Sequence, residues 1–513
     1  MATIFDFTPI ESTTFEFHNK SGALPFPLLL EGESFGTLNI NMKKTEITKT
    51  PLFLLFTIDN TGSMDECENN MCCKMDYLKK TFKNMISYLA KQNIEVYIRV
   101  HSFNISVDVI IENERVSPEN MNELIKKIDA LEPECSTNIE LALNKAQETL
   151  HQYSESYPEH QTAHVFMTDG EPTIGQTCKF ELAKLVDEQF ANIFVGFGVY
   201  HNALLLKKLS EKKNAEYQFV DDMENTGLVY GETLHRFLYP ALSRVEIRVT
   251  NALIYDWQLN QWTEQVYEPV LIGEAQKTYH LRASNPSDVK VDIYSNGELV
   301  CSKDCSDKSF TEECDIMKYV FRQRVQELLY LARNSEVDKK PVLLKAKFKD
   351  AFKIIRLYMR ENNLVDDPFM KLLCDDISVT YKTIGTRFGP AFATARQTSQ
   401  GRQQSYTPSR SASYDNEPPC NKRPMMTRQL TCTFHGKNPL ALRIPSDDEF
   451  DLPMSSNYPV GGYRADRTDM DTITEKVDPD DLDHFNSSND IISCYATQTV
   501  VQTMRSMSQT DDI

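Results

Sequence analysis

The sequence predicts a multidomain α/β protein: a doubly wound, mostly parallel sheet inserted in a β-sandwich, followed by a small helical unit and a disordered tail. Three observations carry this. From residue 51 to 240 short apolar runs alternate with amphipathic stretches, the pattern of a buried parallel sheet covered by helices. On both sides of that span, apolar and polar residues alternate singly, as in strands with one wet face. The length of 513 residues also exceeds what one hydrophobic core organises.

In residues 1–50, Leu38, Ile40 and Met42 alternate with polar residues. So few strands make no stable sheet alone, and pairing with strands of residues 241–312 (Val245, Ile247, Val249, then Val289, Val291, Ile293) completes a sandwich. The apolar runs of 51–240 are Leu52 to Ile58, Val96 to Val100, Val107 to Ile111, His164 to Met167, Ile193 to Val199 and Tyr217 to Val220. Helical spacing falls between them, at Asp76 to Leu89, Glu119 to Leu131, Ile139 to Leu150, Phe180 to Phe190 and Leu204 to Leu209.

Residues 313–382 turn helical. Ile316, Val320, Val325, Leu328 and Ala332 share one face, and Leu344, Phe348, Phe352, Ile355 and Met359 share another. Pro341 and Pro368 suit first helical turns and Asp367 suits a cap, so a hairpin or three-helix unit is expected. Residues 383–513 are too polar to offset chain entropy, so a disordered tail is expected, basic first (Arg396, Arg402, Arg410) and acidic from Asp447 to Asp490. Near its end Val500, Val501, Met504 and Met507 fall on one helical face, so Ile491 to Gln509 reads as a docking peptide or as a frayed terminus. No fixed-period repeat occurs.

The 74 acidic against 55 basic residues give a charge of -19, which repels phosphate backbones and speaks against nucleic-acid partners. The start lacks a basic, apolar leader and no segment reaches membrane-spanning length, so no membrane role and an intracellular, cytoplasmic setting are expected. Twelve scattered cysteines read as free thiols. Oligomeric state is not legible.

The strand Leu52 to Ile58 runs into Asp59-Asn60-Thr61-Gly62-Ser63-Met64, placing a carboxylate and two hydroxyls at its C-terminal end, where open α/β sheets bind ligands. Magnesium prefers hard oxygens and keeps several waters, so hydroxyls and carboxylates with open positions suit it. Gly62 is expected to let the loop turn tightly enough for Thr61 and Ser63 to face one ion. Ser136-Thr137-Asn138 then opens a helix, and Thr168-Asp169-Gly170 closes a later strand.

Asp59, Thr61, Ser63, Thr137 and Asp169 resemble, position by position, the metal-ion-dependent adhesion site of von Willebrand factor type A domains, over about Pro51 to Pro240. The resemblance implies Mg2+, with Mn2+ as substitute, ligated directly by Thr61 and Ser63. It makes Asp59 and Asp169 the sources of charge, Thr137 a switchable hydroxyl, and Asn60, Gly62, Met64 and Gly170 the binding loop. The order of flanking segments looks like the region shared by ubiquitin-ligase-type and inter-alpha-inhibitor-type members, and local phrases resemble A-domain proteins of large DNA viruses and some protists. Paired Cys-x-x-Cys ligands are absent, so ligase activity does not transfer.

The leading expectation is a non-enzymatic, magnesium-dependent binding module whose protein partner presents an Asp or Glu carboxylate to the metal. A scaffold, with a stabilising metal and a tail that recruits partners, is the alternative. Hydrolysis is a third reading, but it needs a second metal or a placed base, and His164 lies inside a strand. Cys67, Cys72 and Cys73, like Cys301, Cys305 and Cys314, lack a fourth zinc ligand and read as free cysteines in solvated loops. Trp257 and Trp262 read as core filling of the β domain.

Overall fold

The computed structural model describes residues 8–18, 24–26, 32–68, 72–134, 136–305, 313–334, 341–386, 388–408, 482–483, 485–487 and 490–508. The basic and acidic tracts expected between 409 and 481 lie outside them.

Two antiparallel strands come first, β1 (Ile10–Phe17) and β2 (Ser34–Met42). The α/β region follows: β3 (Leu52–Asp59), the small hairpin β4 (Cys67–Glu68) and β5 (Cys72–Cys73), α1 (Lys74–Ala90), β6 (Val96–Phe103), β7 (Val107–Arg115), α2 (Met121–Asp129), α3 (Ile139–Ser156), β8 (Gln161–Thr168), the single turn α4 (Lys179–Leu182), β9 (Ala191–Phe197), α5 (Ala203–Leu209), β10 (Ala215–Val220) and α6 (Thr226–Leu238). Its sheet runs β10-β9-β8-β3-β6-β7, parallel except for the edge strand β7.

β3 is buried along its whole length, and its alternation divides it between two layers. Leu52, Leu54, Phe56 and Ile58 pack with Leu78, Phe82 and Ile86 of α1 and with α6, while Phe53 and Leu55 pack with Leu150 and Tyr153 of α3. From β3 the chain passes to β6 on one side, and it later returns to β8 on the other. The strand order therefore reverses between β3 and β8, and the crevice beyond their carboxyl ends is the natural ligand position of such sheets.

Downstream lie β11 (Pro240–Thr250), β12 (Leu253–Asp256), β13 (Gln261–Thr263), β14 (Gln265–Ile272), β15 (Gln276–Ala283), β16 (Lys290–Ser295) and β17 (Glu298–Asp304). They form a five-stranded sheet, β1-β2-β15-β12-β13, and a four-stranded one, β14-β11-β16-β17. β2 pairs antiparallel with β15, Leu38 opposite Tyr279, so strands from both sides of the α/β region share one sheet. Phe17, Leu38 and Ile40 meet Val245, Ile247, Val291 and Ile293 in the core between the two sheets.

The helical unit holds α7 (Glu313–Arg333), α8 (Pro341–Glu361) and α9 (Pro368–Thr383). The Asp367 carboxylate accepts the Met370 N–H at 3.0 Å and caps α9, and Pro368 stands in the first turn, where its missing N–H costs nothing.

Two expectations are corrected. The helical spacing from Phe180 to Phe190 yields only the turn α4 and a 3-10 turn (Ala183–Leu185), because Val186 turns extended and Gln147 of α3 accepts the Asp187 N–H at 3.2 Å. The tail is not disordered from 383 onward. Residues 389–402 form α10 (Gly389–Arg402), buried throughout. Its buried face carries paired polar groups where apolar residues would be sought. Arg396 pairs with Asp376 at 3.0 Å, Gln400 donates to Asp376 at 2.6 Å, Gln397 donates to the Trp257 carbonyl at 2.7 Å, and Arg402 faces Glu268 at 3.3 Å.

The end of the chain returns to the body. Thr407 N–H bonds the Ile491 carbonyl at 2.9 Å, and α11 (Gln498–Ser508) lies on α1 and α6. Val500, Met504 and Met507 enter the core beside Phe82 and Leu234, and Asn84 of α1 donates to the Met507 carbonyl at 2.8 Å. Gly227 and Gly231 of α6 permit this approach, since a Cβ on Gly231 would stand 2.5 Å from the Met504 Cα. The terminal apolar cluster is a docking helix whose groove belongs to its own chain.

Candidate metal centre

Asp59 ends β3 and Asp169 follows β8, and the parallel pairing of these strands puts both carboxylates at one end of the sheet. The Thr61 N–H bonds Asp59 Oδ1 at 3.0 Å, and the hydroxyl of Thr168, the last residue of β8, donates to Asp59 Oδ2 at 2.5 Å. The Ser63 hydroxyl donates to Asp169 Oδ1 at 2.6 Å and lies 3.1 Å from Thr61 Oγ1.

Thr137 arrives from the loop before α3. It is held by Thr173, whose Oγ1 accepts the Thr137 N–H at 2.9 Å and whose own N–H bonds the Thr137 carbonyl at 2.9 Å. A Cβ on Gly170 would stand 3.7 Å from Thr137 Oγ1 and 3.9 Å from Ser63 Oγ, so the two hydroxyls flank one space. Asp59, Thr61, Ser63, Thr137 and Asp169 thus converge.

The four loop residues divide. Gly62 is exposed and opens a right-handed 3-10 turn (Gly62–Asp65), so the special backbone freedom expected of it is not used. Gly170 lies against the hydroxyls. Asn60 pins the loop, its N–H bonding the Phe103 carbonyl at 2.9 Å and its side-chain amide the Glu132 carbonyl at 2.9 Å. Met64 is fully buried in the core beneath the turn, so it anchors the loop rather than facing a partner.

Asp59 has no exposed surface, and Asp169 is 1% exposed. Burial first, and the Asp169 charge second, push the Asp59 carboxyl up to about 7, against the bonds from Thr168 and Thr61, which pull it down.

Sequence reasoning missed Lys74. Its ammonium donates to Asp169 Oδ2 at 2.8 Å, Glu66 Oε2 at 2.8 Å and the Ser63 carbonyl at 3.3 Å, and its side chain is only 5% exposed. Burial alone would lower its pKa, but the Asp169 and Glu66 carboxylates outweigh that and raise it. A lysine at the first position of a helix opposes the helix dipole, and that mismatch was the available signal of a nearby counter-charge.

The donor set fits a hard divalent cation. Three hydroxyls and two carboxylates converge, every donor atom is oxygen, and one ammonium leaves the two buried carboxylates incompletely neutralised. Cys73 is no ligand here, since its thiol donates to Asp76 Oδ2 at 3.1 Å and caps α1. Among the described residues no three His, Cys, Asp or Glu side chains gather as a second metal site, and the side chains of Cys67 and Cys314 lie outside those residues. His164 is buried within β8, Nε2 2.9 Å from Thr57 Oγ1 and Nδ1 3.1 Å from Asn192 Oδ1, and burial lowers its pKa to about 4. Both ring nitrogens are engaged in the interior, so it is not a base poised at this centre.

The family model of the von Willebrand factor type A domain matches residues 54–231. No curated protein matches the chain. Among solved structures, a von Willebrand factor type A protein from Catenulispora acidiphila is similar at 13% identity and a TM-score of 0.51, over 72% of this chain and 90% of that one. The ArnB paralog VWA2 from Sulfolobus acidocaldarius aligns at 12% identity and a TM-score of 0.48, over 77% and 98%. Proximal thread matrix protein 1 from the mussel byssus, with a zinc-occupied MIDAS motif, aligns at 16% identity and a TM-score of 0.29, over 36% and 46%. Residues 54–231 are therefore a von Willebrand factor type A domain.

Proposed function

We propose that this domain holds Mg2+, with Mn2+ as substitute, and uses it to capture a protein partner through an Asp or Glu carboxylate, without turnover. One observation carries the reading: the Thr61, Ser63 and Thr137 hydroxyls and the Asp59 and Asp169 carboxylates meet at the carboxyl ends of β3 and β8.

Thr61 and Ser63 would hold the ion directly, Asp59 and Asp169 would supply charge, and Thr137 would complete the set. The bound ion supplies an electrophilic position for an anionic oxygen. The chain's own residues prepare that position. Thr168 and the Thr61 N–H orient Asp59, Lys74 and Ser63 orient Asp169, and Met64 and Asn60 fix the loop between them. The interior engagement of His164 favours binding over hydrolysis.

The test is Mg2+ calorimetry on the full chain and on Asp59→Ala, joined to pull-down from the native cell with and without chelator. Expected are Mg2+ binding that Asp59→Ala abolishes, and partners lost both with chelator and on Asp169→Ala. Unchanged Mg2+ affinity in Asp59→Ala, or partners that survive chelation, overturns the reading.

A further inference from the structure

We propose that Lys74 is a resident cation of this metal centre that holds divalent-ion affinity down and makes the loaded centre select anionic ligands. The inference rests on the metal reading above and deepens it.

The ammonium is built into the centre rather than laid over it. Three acceptors hold it: a carboxylate of the centre itself, the carbonyl of Ser63, and Glu66, which is 63% exposed. Its stem runs under the end of β9, where a Cβ on Gly198 would stand 3.6 Å from both Lys74 Cε and Met223 Cε. Gly198 takes a left-handed backbone, φ +76°, so the strand end turns away just where the lysine passes. Lys74 begins α1, whose Phe82, Met85 and Leu89 are core residues, so the charge sits on a rigid element.

The consequence is electrostatic. Asp59 and Asp169 alone would present two negative charges to a dication, a neutral assembly with little pull on another anion. With Lys74 fixed beside Asp169 the pair presents one net negative charge, and an added dication leaves the centre net positive. Such a centre gives up ion affinity and gains attraction for a carboxylate, in surroundings where charges are screened far less than in water. Glu66 stands on the solvent side of the ammonium and damps this effect without cancelling it, because solvent screens it.

The test compares the full wild-type chain with Lys74→Met, Lys74→Gln and Lys74→Arg. A unit charge beside a dication, at an effective dielectric of about 20, is worth at least a factor of ten in affinity. Mg2+ should therefore bind about tenfold or more tightly to Lys74→Met and Lys74→Gln, and Lys74→Arg should stay close to wild type. Lys74→Gln keeps a donor for Asp169 and serves if Lys74→Met does not fold. The second readout uses acetate as carboxylate probe: by linkage it should tighten Mg2+ binding to wild type and Lys74→Arg more than to the neutral variants. Neutral variants that bind Mg2+ no more tightly than wild type, or acetate coupling equal in all four proteins, overturn the proposal while leaving the metal site standing. A wild-type chain that binds no Mg2+ overturns both.

Discussion

Replacing Asp59 with Asn separates the cost of the buried carboxylate from its use. The side chain has no exposed surface and faces Asp169, and its carboxyl is pushed from 3.8 to about 7. Because the folded-state pKa lies above the unfolded one, this group's contribution is fully favourable below about pH 4 and is lost as pH rises through about 7. A displacement of that size corresponds to roughly 4 kcal/mol of lost stability at pH 8 in the metal-free protein. Asp59→Asn avoids that loss, but its amide gives Thr168 a poorer partner, a cost of about 1–2 kcal/mol. The metal-free variant is therefore expected to be more stable than wild type at pH 8 by about 2 kcal/mol, or roughly 4–8 °C for a domain of this size. At pH 4 this advantage should vanish.

On the proposed reading, magnesium should reverse the ranking. An ion at a hundred times its Kd would stabilise the wild-type domain by about 2.7 kcal/mol, and the variant should gain nothing. The assay is thermal unfolding followed by circular dichroism, with chelator and with Mg2+, at pH 4, 6 and 8. The two proteins should exchange order between chelator and Mg2+ at pH 8. A variant less stable than wild type in chelator at pH 8 refutes the burial argument, and a variant that Mg2+ stabilises as much as wild type refutes the assignment of Asp59.

Thr168→Val removes a donor to Asp59 Oδ2, which pulls that carboxyl down, so Mg2+ titrations at pH 6.5 should show weakened binding that recovers at pH 8.5. Met504→Ala leaves a cavity under α11 and should cost the docking of that helix about 2–5 kcal/mol, read as faster amide exchange confined to 490–508 and the facing turns of α6. Gly231→Val should release the same segment by pushing a side chain into the Met504 backbone, and protection equal to wild type would count against the docked geometry. Arg396→Met strands the Asp376 carboxylate in the interior and should cost about 3–5 kcal/mol, with the loss in denaturant unfolding smaller in Arg396→Met/Asp376→Leu than in the single variant.

The doubly wound sheet was legible because its strands are buried on both faces and spell unbroken apolar runs, as β3 does from Leu52 to Ile58. The convergence of the five residues of the candidate metal centre was legible for a related reason. Asp59 ends a strand, Asp169 follows one and Thr137 stands just before a helix, so the element pattern already placed these three at one end of the sheet. Lys74 was hidden by its position. Helical spacing read from Asp76 leaves it outside the helix, so its mismatch with the helix N-terminus goes unseen, and only the path of its stem under Gly198 brings its ammonium to Asp169. Met64 was misplaced for the converse reason: periodicity says nothing in a single 3-10 turn, and membership of a loop does not imply exposure.

The largest misreading, the tail, follows from the same physics. Hydrophobic periodicity detects helices that bury apolar area, whereas α10 buries Arg396, Gln397, Gln400 and Arg402 against Asp376, the Trp257 carbonyl and Glu268. Each of those groups is indistinguishable in sequence from a solvated one, since the partners that make burial tolerable lie far away in the chain. α11 differs: its apolar face was visible, but the groove that receives it exists only because Gly227 and Gly231 stand one turn apart on α6 and leave no side chain between the two backbones. The helix that closes the domain's core is thus supplied from beyond residue 490, and it touches α1, the helix that carries Lys74. Stability of the α/β domain and docking of the chain's end are in consequence one property, which is why removal of that end should lower the melting point of a domain whose family match stops at residue 231.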